Sequence, residues 1–436
     1  VLGAAPQRPL VALFSGGQGE HAGPSLVAHP TKTLQLPAGS TLAQWREFAN
    51  LCGLSQRVRC ESRAKAASFA HSAGQLHAPS IAPGWVYCLS FELGELFEPS
   101  LVRTPAHRAR PPRGLGQFPL AVAFRVETAL DRAPDDVSSA HPQLALLAPT
   151  ANDRHAYEQG VARCLAYIRA GDVYQVNLAH VLRGRLAGSP RALATSLWRV
   201  AQPWFGAFLE LPHGQSKARA IASASPELFL RYQASTQRLS SRPMKGTRRA
   251  HTQGAHELAT SEKDKAELAM IVDLMRNDLG RVCELGSMRV DTPRAIETHG
   301  TQHAALLQAT ATISGTPARE ATWASVLEAC FPPGSVTGAP KVRAVQILRE
   351  LEPSLRGPYC GCIGFVSDAG DSAWSVAIRT AATERDEQVR EEQASDATWD
   401  VAWHVGAGIV ADSSPQQEWE ETLAKASVLR AACSQG

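Results

Sequence analysis

Five short runs of this 436-residue chain gather residue types that can do chemistry. The first is Ser241-Arg242-Pro243-Met244-Lys245-Gly246-Thr247-Arg248-Arg249. A proline before and a glycine after the lysine pin the backbone, so Lys245 could present its amine at a fixed angle; taken alone, the run fits a plain surface lysine equally well. The second and third runs carry carboxylates. Glu267 lies in an acidic helical stretch that ends at Arg276-Asn277-Asp278, and Glu418-Trp419-Glu420-Glu421-Thr422 puts Glu418 and Glu421 on one helical face at i, i+3. Carboxylates are hard oxygen ligands suited to Mg²⁺, which takes one or two from protein and leaves positions for water or substrate. A solvated helix face explains most such glutamates, but like charges one turn apart repel mildly unless a cation lies between them.

The fourth run, Pro332 to Lys341, holds two glycines and no bulky side chain between Phe331 and Lys341, in the manner of loops whose backbone N–H groups cradle an anion. Its spacing is not that of a Walker A loop. The fifth joins Ile378-Arg379-Thr380 to Gly406-Ala407-Gly408-Ile409-Val410-Ala411-Asp412-Ser413. An arginine suits a bidentate carboxylate, and glycine permits close backbone approach. Together the five describe a site for a dianionic small molecule.

The elements that must position these runs can be read from the apolar pattern. Up to about Thr150, β-rich runs such as Leu10 to Phe14, Gly84 to Ser90 and Leu120 to Val126 alternate with Gly- and Pro-rich turns, and long loops are expected over 104–118 and 131–141. From Ala156 to Gly171 the repeat becomes helical and leads into a strand, Val173 to Leu182. Ala266 to Val282 reads as a helix with Glu262 and Asp264 near its start, where carboxylates suit the dipole. Val401 to Val410 reads as a strand and Glu418 to Arg430 as one helix, with an exposed hairpin tip over 383–398.

Composition narrows the function classes. Hydrophobic residues make up 44% of the chain and charged residues 19%, an ordinary globular balance. The 44 basic and 41 acidic residues are dispersed, giving a net charge of +3 and no electrostatic footprint of a nucleic-acid binder. No run of eighteen apolar residues and no secretory signal pattern occurs, so a cytosolic protein without a membrane span is expected. The nine cysteines are scattered and form no redox or zinc spacing, which predicts reduced, mostly buried thiols.

In this order the runs resemble the chorismate-utilising family that includes anthranilate synthase component I, isochorismate and salicylate synthases, and aminodeoxychorismate synthase component I. The match is close over about 155–430 and is carried by Gly171-Asp172-Val173-Tyr174-Gln175-Val176-Asn177-Leu178 and by Ile271 to Val282. It is looser through Leu13-Phe14-Ser15-Gly16 and Leu89 to Gly94. The resemblance implies an α+β fold of two β-sheets packed face to face with helices outside. An N-terminal region, residues 1–150, would be interwoven with the chorismate-binding catalytic region, residues 151–436.

The resemblance also implies roles. Members that form aminodeoxychorismate carry lysine in the P-x-K-G-T run, where anthranilate and isochorismate synthases usually carry alanine. Isochorismate and salicylate synthases use a water-activating lysine where this chain has Gln175. Lys245 would therefore attack chorismate as a free amine, its pKa lowered by burial or by cations such as Arg242 and Arg248. Glu227, in Ser223-Ala224-Ser225-Pro226-Glu227, matches the general acid for the departing hydroxyl. Glu267 and Glu421 match Mg²⁺ ligands, with Glu418 holding a metal-bound water. Gln175, Thr247, Tyr359, Arg379 and Gly408 match substrate-binding positions. A histidine usually precedes the strand after Gly300; His303 aligns with it only through a small insertion, and an ordinary structural histidine is equally open there.

The chain shows no glycine-flanked nucleophilic cysteine with downstream histidine and glutamate, so ammonia is expected from a separate glutamine amidotransferase subunit. No pyridoxal-phosphate lyase region is evident either, so the product expected is 4-amino-4-deoxychorismate, which serves 4-aminobenzoate and folate synthesis and also secondary metabolism. Anthranilate synthase chemistry is the alternative within the family. A silent subunit that binds chorismate or tryptophan has no chemical need for Lys245, Glu227, Glu267 and Glu421 together.

Overall fold

A computed structural model of the chain describes residues 9–15, 26–59, 83–101, 115–129, 142–146, 148–214, 217–299, 306–386 and 398–433. Strands buried along most of their length, such as Ala121–Val126, Lys217–Ser225 and Leu306–Gly315, build two large antiparallel sheets, as expected where both faces of a sheet are covered. One has nine described strands, running from Gly338–Ala339 through Gln175–Ala187, Thr398–Ile409, Thr380–Asp386, Lys217–Ser225, Phe205–Gly214 and Val11–Phe14 to Leu26–Ala28, with Gln143–Leu146 also on Gln175–Ala187. The other has ten, from Met244–Arg249 through Leu306–Gly315, Arg238–Arg242, Leu228–Gln233, Ser372–Val376, Cys362–Ser367, Gly84–Leu89 and Ala121–Val126 to Lys32–Leu36, with Arg289–His299 also on Leu306–Gly315.

The inner faces meet in a core of Val86, Val122, Phe124 and Phe365 from one sheet and Ala207, Leu209, Ile221, Ala382 and Ala402 from the other. Helices cover the outer faces: Pro190–Ala201 and Ser427–Cys433 pack on Phe208, Ala222, Trp403 and Val405, while Leu42–Leu51, Glu262–Gly280 and Trp323–Cys330 pack against Phe229, Leu230 and Trp374. The α+β sandwich expected from the sequence is thus present. Strands from the first 150 residues lie in both sheets, so the N-terminal segments are interwoven with the rest.

Local signals set the elements that carry the site. The helix Ala151–Arg169 begins five residues earlier than its apolar repeat, because Thr150 caps it and Asp153 completes a capping box, a device that contributes about 1 kcal/mol. Glu262–Gly280 starts at a Ser261 cap with Glu262 and Asp264 in its first turn. The single helix expected over Glu418–Arg430 is instead two, Pro415–Lys425 and Ser427–Cys433. Pro415 opens the first, as proline does at helix starts, and Ala426 ends it by turning its N–H back to Thr422 and Ala424. The expected hairpin over 383–398 proves to be strand as far as Asp386, with 387–397 outside the described residues, as are 131–141 and most of 104–118. All eight described cysteines are free thiols, seven of them buried. Among the described residues no helix is long and apolar enough to cross a membrane.

Candidate active site

Lys245 lies on the strand Met244–Arg249, paired with Leu306–Gly315, and the register slips between Lys245 and Thr247. Gly246 absorbs the slip at φ +71°, and a Cβ there would meet Leu258 and Asp264 within 3 Å, so the bulge needs glycine for both conformation and space. The Lys245 amine comes within 3.5 Å of the Ser335 carbonyl oxygen. A Cβ on Gly408 would stand 3.4 Å from Lys245 Nζ and 2.6 Å from Gln175 Nε2. Gly408 is therefore the small residue over which the lysine amine and the glutamine amide both lie. Gln175 is fully buried, and neither of its amide atoms has a partner among the described residues.

Burial lowers the pKa of Lys245, Glu267 opposes that, and the nearby Lys425 adds to it. The cation that helps lower Lys245 is thus Lys425. Arg242 and Arg248, expected in that role, are engaged elsewhere: Arg242 pairs with Glu297, reaches Thr310 and lies over the Trp204 ring, and Arg248 pairs with Asp264 at 3.0 Å.

Glu227 is positioned by a short break between two strands. Ser225 ends Lys217–Ser225 and its hydroxyl donates to the Val376 carbonyl, Pro226 interrupts the ladder, and the Val376 N–H closes on the Glu227 carbonyl. The Glu227 carboxyl is 3% exposed and accepts the Ser335 hydroxyl at 2.5 Å. Burial pushes its pKa up to about 7, against the lowering effects of Ser335 and then Lys245. Near neutrality it can therefore hold a proton to give. The loop from Pro332 to Lys341 consequently serves the acid as well as the backbone: it tightens into a single turn at Gly334–Val336, presents Ser335, then adds Gly338–Ala339 to the strand bearing Gln175. Lys341 does not face this site; it anchors Asp278 and the Cys330 carbonyl.

Of the three expected metal-binding carboxylates, Glu267 and Glu421 act electrostatically on Lys245. Glu267 projects from Glu262–Gly280, and Glu418 and Glu421 from Pro415–Lys425. Burial raises the pKa of Glu267, and repulsion from Asp264 and Glu421 contributes. Burial likewise raises Glu418, whose carboxylate accepts the Ser413 hydroxyl at 2.6 Å. Partial burial pushes Glu421 up, but Lys425 at 2.7 Å outweighs it and the net direction is down. Among the described residues no three His, Cys, Asp or Glu form a closed metal cage. The pair Glu267 and Glu421 fits an open site for a hard cation, where two carboxylates repel each other and water or substrate completes the shell.

Tyr359, Arg379 and Thr247 complete the expected set. Tyr359 is buried, stacked 5.4 Å from His404, and its hydroxyl approaches Gly406 so closely that a Cβ there would lie 3.0 Å away. Arg379 sits at φ +50°, a costly conformation for a residue other than glycine. Its pKa is lowered to about 10 by burial, and among the described residues no carboxylate pairs with it. A strained, desolvated guanidinium without an acid partner has the chemistry to take an anion. Thr247 is exposed, and its hydroxyl accepts a 3.4 Å bond from Gln308. His303 lies outside the described residues.

Sequence reasoning did not single out four nearby residues. Ser335 and Gln308 were hidden in runs read for other features. His299, buried against Trp204 at 4.5 Å with Arg379 as an electrostatic neighbour, carries no motif. Lys425 had a readable signal, its i, i+4 spacing from Glu421.

Taken together, these residues supply an amine of lowered basicity, a carboxyl of raised pKa, a guanidinium without a carboxylate partner among the described residues, and an open carboxylate pair. That set can bind a dianion, add an amine to it and protonate a leaving oxygen. Residues 11–431 match the family described as chorismate binding enzyme. The chain belongs to that family. It is 37% identical over 283 residues to anthranilate synthase component 1 of Synechocystis, covering 63% of this chain and 52% of that protein. It is 38% identical over 284 residues to aminodeoxychorismate synthase component 1 of Klebsiella aerogenes, covering 62% and 56%. To the aminodeoxychorismate synthase of Streptomyces griseus it is 32% identical over 387 residues, covering 80% and 50%. The match thus spans little more than half the length of these relatives. The fold agrees with anthranilate synthase component I of Streptococcus pneumoniae at a TM-score of 0.65 and 21% identity, over 99% of this chain and 94% of that one. It also agrees with the menaquinone-specific isochorismate synthase of Escherichia coli at 0.64 and 16%, over 98% and 89%.

Proposed function

We propose that this member of the family is the chorismate-binding component of an aminodeoxychorismate synthase. The observation that carries the reading is the half-buried Lys245, whose amine lies over Gly408 and is joined through Ser335 to a protonatable Glu227. Arg379 and the Tyr359 hydroxyl receive the enolpyruvyl carboxylate of chorismate. Glu267 and Glu421 would hold Mg²⁺, with Glu418 holding a metal-bound water, and the ion would supply positive charge to the ring carboxylate.

The Lys245 amine adds to C2 of the ring, the conjugated double bonds shift toward C4, and the C4–O bond breaks as Glu227 gives its proton, so the hydroxyl leaves as water. Ammonia then adds at C4, the double bonds shift back, and the C2–N bond to Lys245 breaks, returning the lysine. The Gln175 amide is too weakly basic to take a proton from water at C2, which disfavours hydration. Ammonia comes from a glutamine amidotransferase subunit, in keeping with the name component 1 borne by the relatives.

The anthranilate reading stands as a second one because relatives of both names match at similar identity. Incubation with chorismate, Mg²⁺ and ammonium separates them: 4-amino-4-deoxychorismate supports the proposal, and fluorescent anthranilate formed without a lyase overturns it.

A further inference from the structure

We propose that Arg356 is a positioning residue: its guanidinium clamps the Ser335–Val336 segment against the strand bearing Gln175 and thereby sets where Ser335 meets Glu227 and Lys245. What that pair does rests on the function proposed above; the clamp itself rests on geometry alone.

Arg356 is 2% exposed, and burying an unsatisfied guanidinium costs several kcal/mol. Here its donors are used. Nη1 donates to the Val336 carbonyl at 3.0 Å and Nη2 to the Asn177 carbonyl at 2.6 Å. Nε and Nη2 donate to the two oxygens of Glu352 at 2.8 and 2.6 Å. Glu352 in turn accepts the Ala179 N–H at 2.9 Å, which tethers the same strand again. The guanidinium lies 4.5 Å from the Phe91 ring and 5.8 Å from that of Tyr359.

The backbone of Arg356 is fixed as well. Its N–H and that of Gly357 donate to Glu92 Oε1 at 2.8 and 3.2 Å. Glu92 belongs to the early segment Phe91–Leu93, so an N-terminal carboxylate holds the turn that carries both the clamp and Tyr359.

The two carbonyls chosen by Arg356 have chemical neighbours. Val336 follows Ser335, whose hydroxyl reaches Glu227 and whose carbonyl receives Lys245. Asn177 lies two residues beyond Gln175 on one strand. Only a planar fork can donate in these directions at once; lysine has a single nitrogen. A mainly structural anchor would leave Glu227 indifferent to its replacement, whereas a clamp acting through Ser335 would not.

The test is a difference-infrared titration of the Glu227 carboxyl in the full chain without substrate, with Glu227→Gln identifying its band. Arg356→Lys should move the Glu227 midpoint upward, as Ser335→Ala does, because the hydroxyl bond that holds it down is loosened. In the double variant the shift should not exceed that of Ser335→Ala alone, since both act through one bond. With chorismate, kcat of Arg356→Lys should fall about tenfold while KM stays within about threefold. An unmoved midpoint, or additive shifts in the double variant, overturns the proposal. If Arg356→Lys shows no cooperative melt, Glu352→Gln unpins the guanidinium and must move the midpoint the same way, or the proposal fails. Should the wild type leave chorismate unconverted, the functional reading falls while the infrared result still judges the clamp.

Discussion

Lys245 and Glu227 meet on a single residue: the lysine amine approaches the Ser335 carbonyl at 3.5 Å, and the glutamate accepts the Ser335 hydroxyl at 2.5 Å. The two groups need opposite protonation states for the proposed reaction, and burial moves each toward the state it needs.

That opposition predicts the pH profile. Glu227 must be protonated, so at fixed free ammonia kcat should fall as pH rises through about 7. Lys245 must be deprotonated, so the acid side should fall as pH drops. In Glu227→Gln the limb near 7 should vanish, with kcat reduced about 10²- to 10⁴-fold. A retained limb would assign it to another group.

The same carboxyl makes a stability prediction. Its folded pKa, near 7, lies above the ordinary 4.5. Its contribution is fully present below the unfolded value and is lost as pH rises through the folded one. Glu227→Gln escapes this loss and should be more stable than wild type at pH above 7, by up to about 3 kcal/mol, and nearly equal near pH 4. Urea midpoints at the two pH values check the sign.

Gly408→Ala should place a Cβ 2.6 Å from Gln175 Nε2 and 3.4 Å from Lys245 Nζ. Overpacking of this kind costs roughly 1–3 kcal/mol, so kcat/KM should drop about tenfold or more with the fold retained. Shortening the neighbour in Gly408→Ala/Gln175→Ala should relieve the clash, and thermal melts of the single and double variants measure how much.

Lys425 lowers the pKa of Lys245 and pairs with Glu421. Lys425→Met should raise the Lys245 pKa and slow its modification by an amine reagent at neutral pH, as read by mass spectrometry of the labelled peptide. An unchanged labelling rate would remove Lys425 from the account.

Mg²⁺ should raise the melting temperature of the wild type in proportion to the logarithm of its concentration above Kd. Glu267→Gln or Glu421→Gln should weaken that response about tenfold or more, and chelation should abolish turnover in the wild type. A response to Mg²⁺ that both variants keep would move the metal elsewhere.

Much of this was legible in the sequence, because the site runs are contiguous and each carries its own backbone punctuation. Pro243 and Gly246 around Lys245 announced a pinned backbone, and Glu418 with Glu421 announced a helical face. The sheet-rich N-terminal runs were readable as strands, but nothing local shows which sheet each joins, since pairing is set by distant partners. The break at Ala426 was missed because the apolar repeat runs on across it. Ser335 and Arg356 were not legible as functional parts: a serine in a small-residue loop and a lone arginine gain meaning only when strands more than 100 residues apart bring Glu227 and Asn177 to them. The cations chosen for Lys245 were nearest in sequence, whereas folding brings Lys425 from the last helices.

The central claim is that Lys245 is the nucleophile of an amination at C4, and product identification in wild type and Lys245→Ala tests it most directly. With chorismate, Mg²⁺ and ammonium, the wild type should form 4-amino-4-deoxychorismate, and the variant should lose that product while keeping its fold. Undiminished 4-amino-4-deoxychorismate from Lys245→Ala would contradict the account.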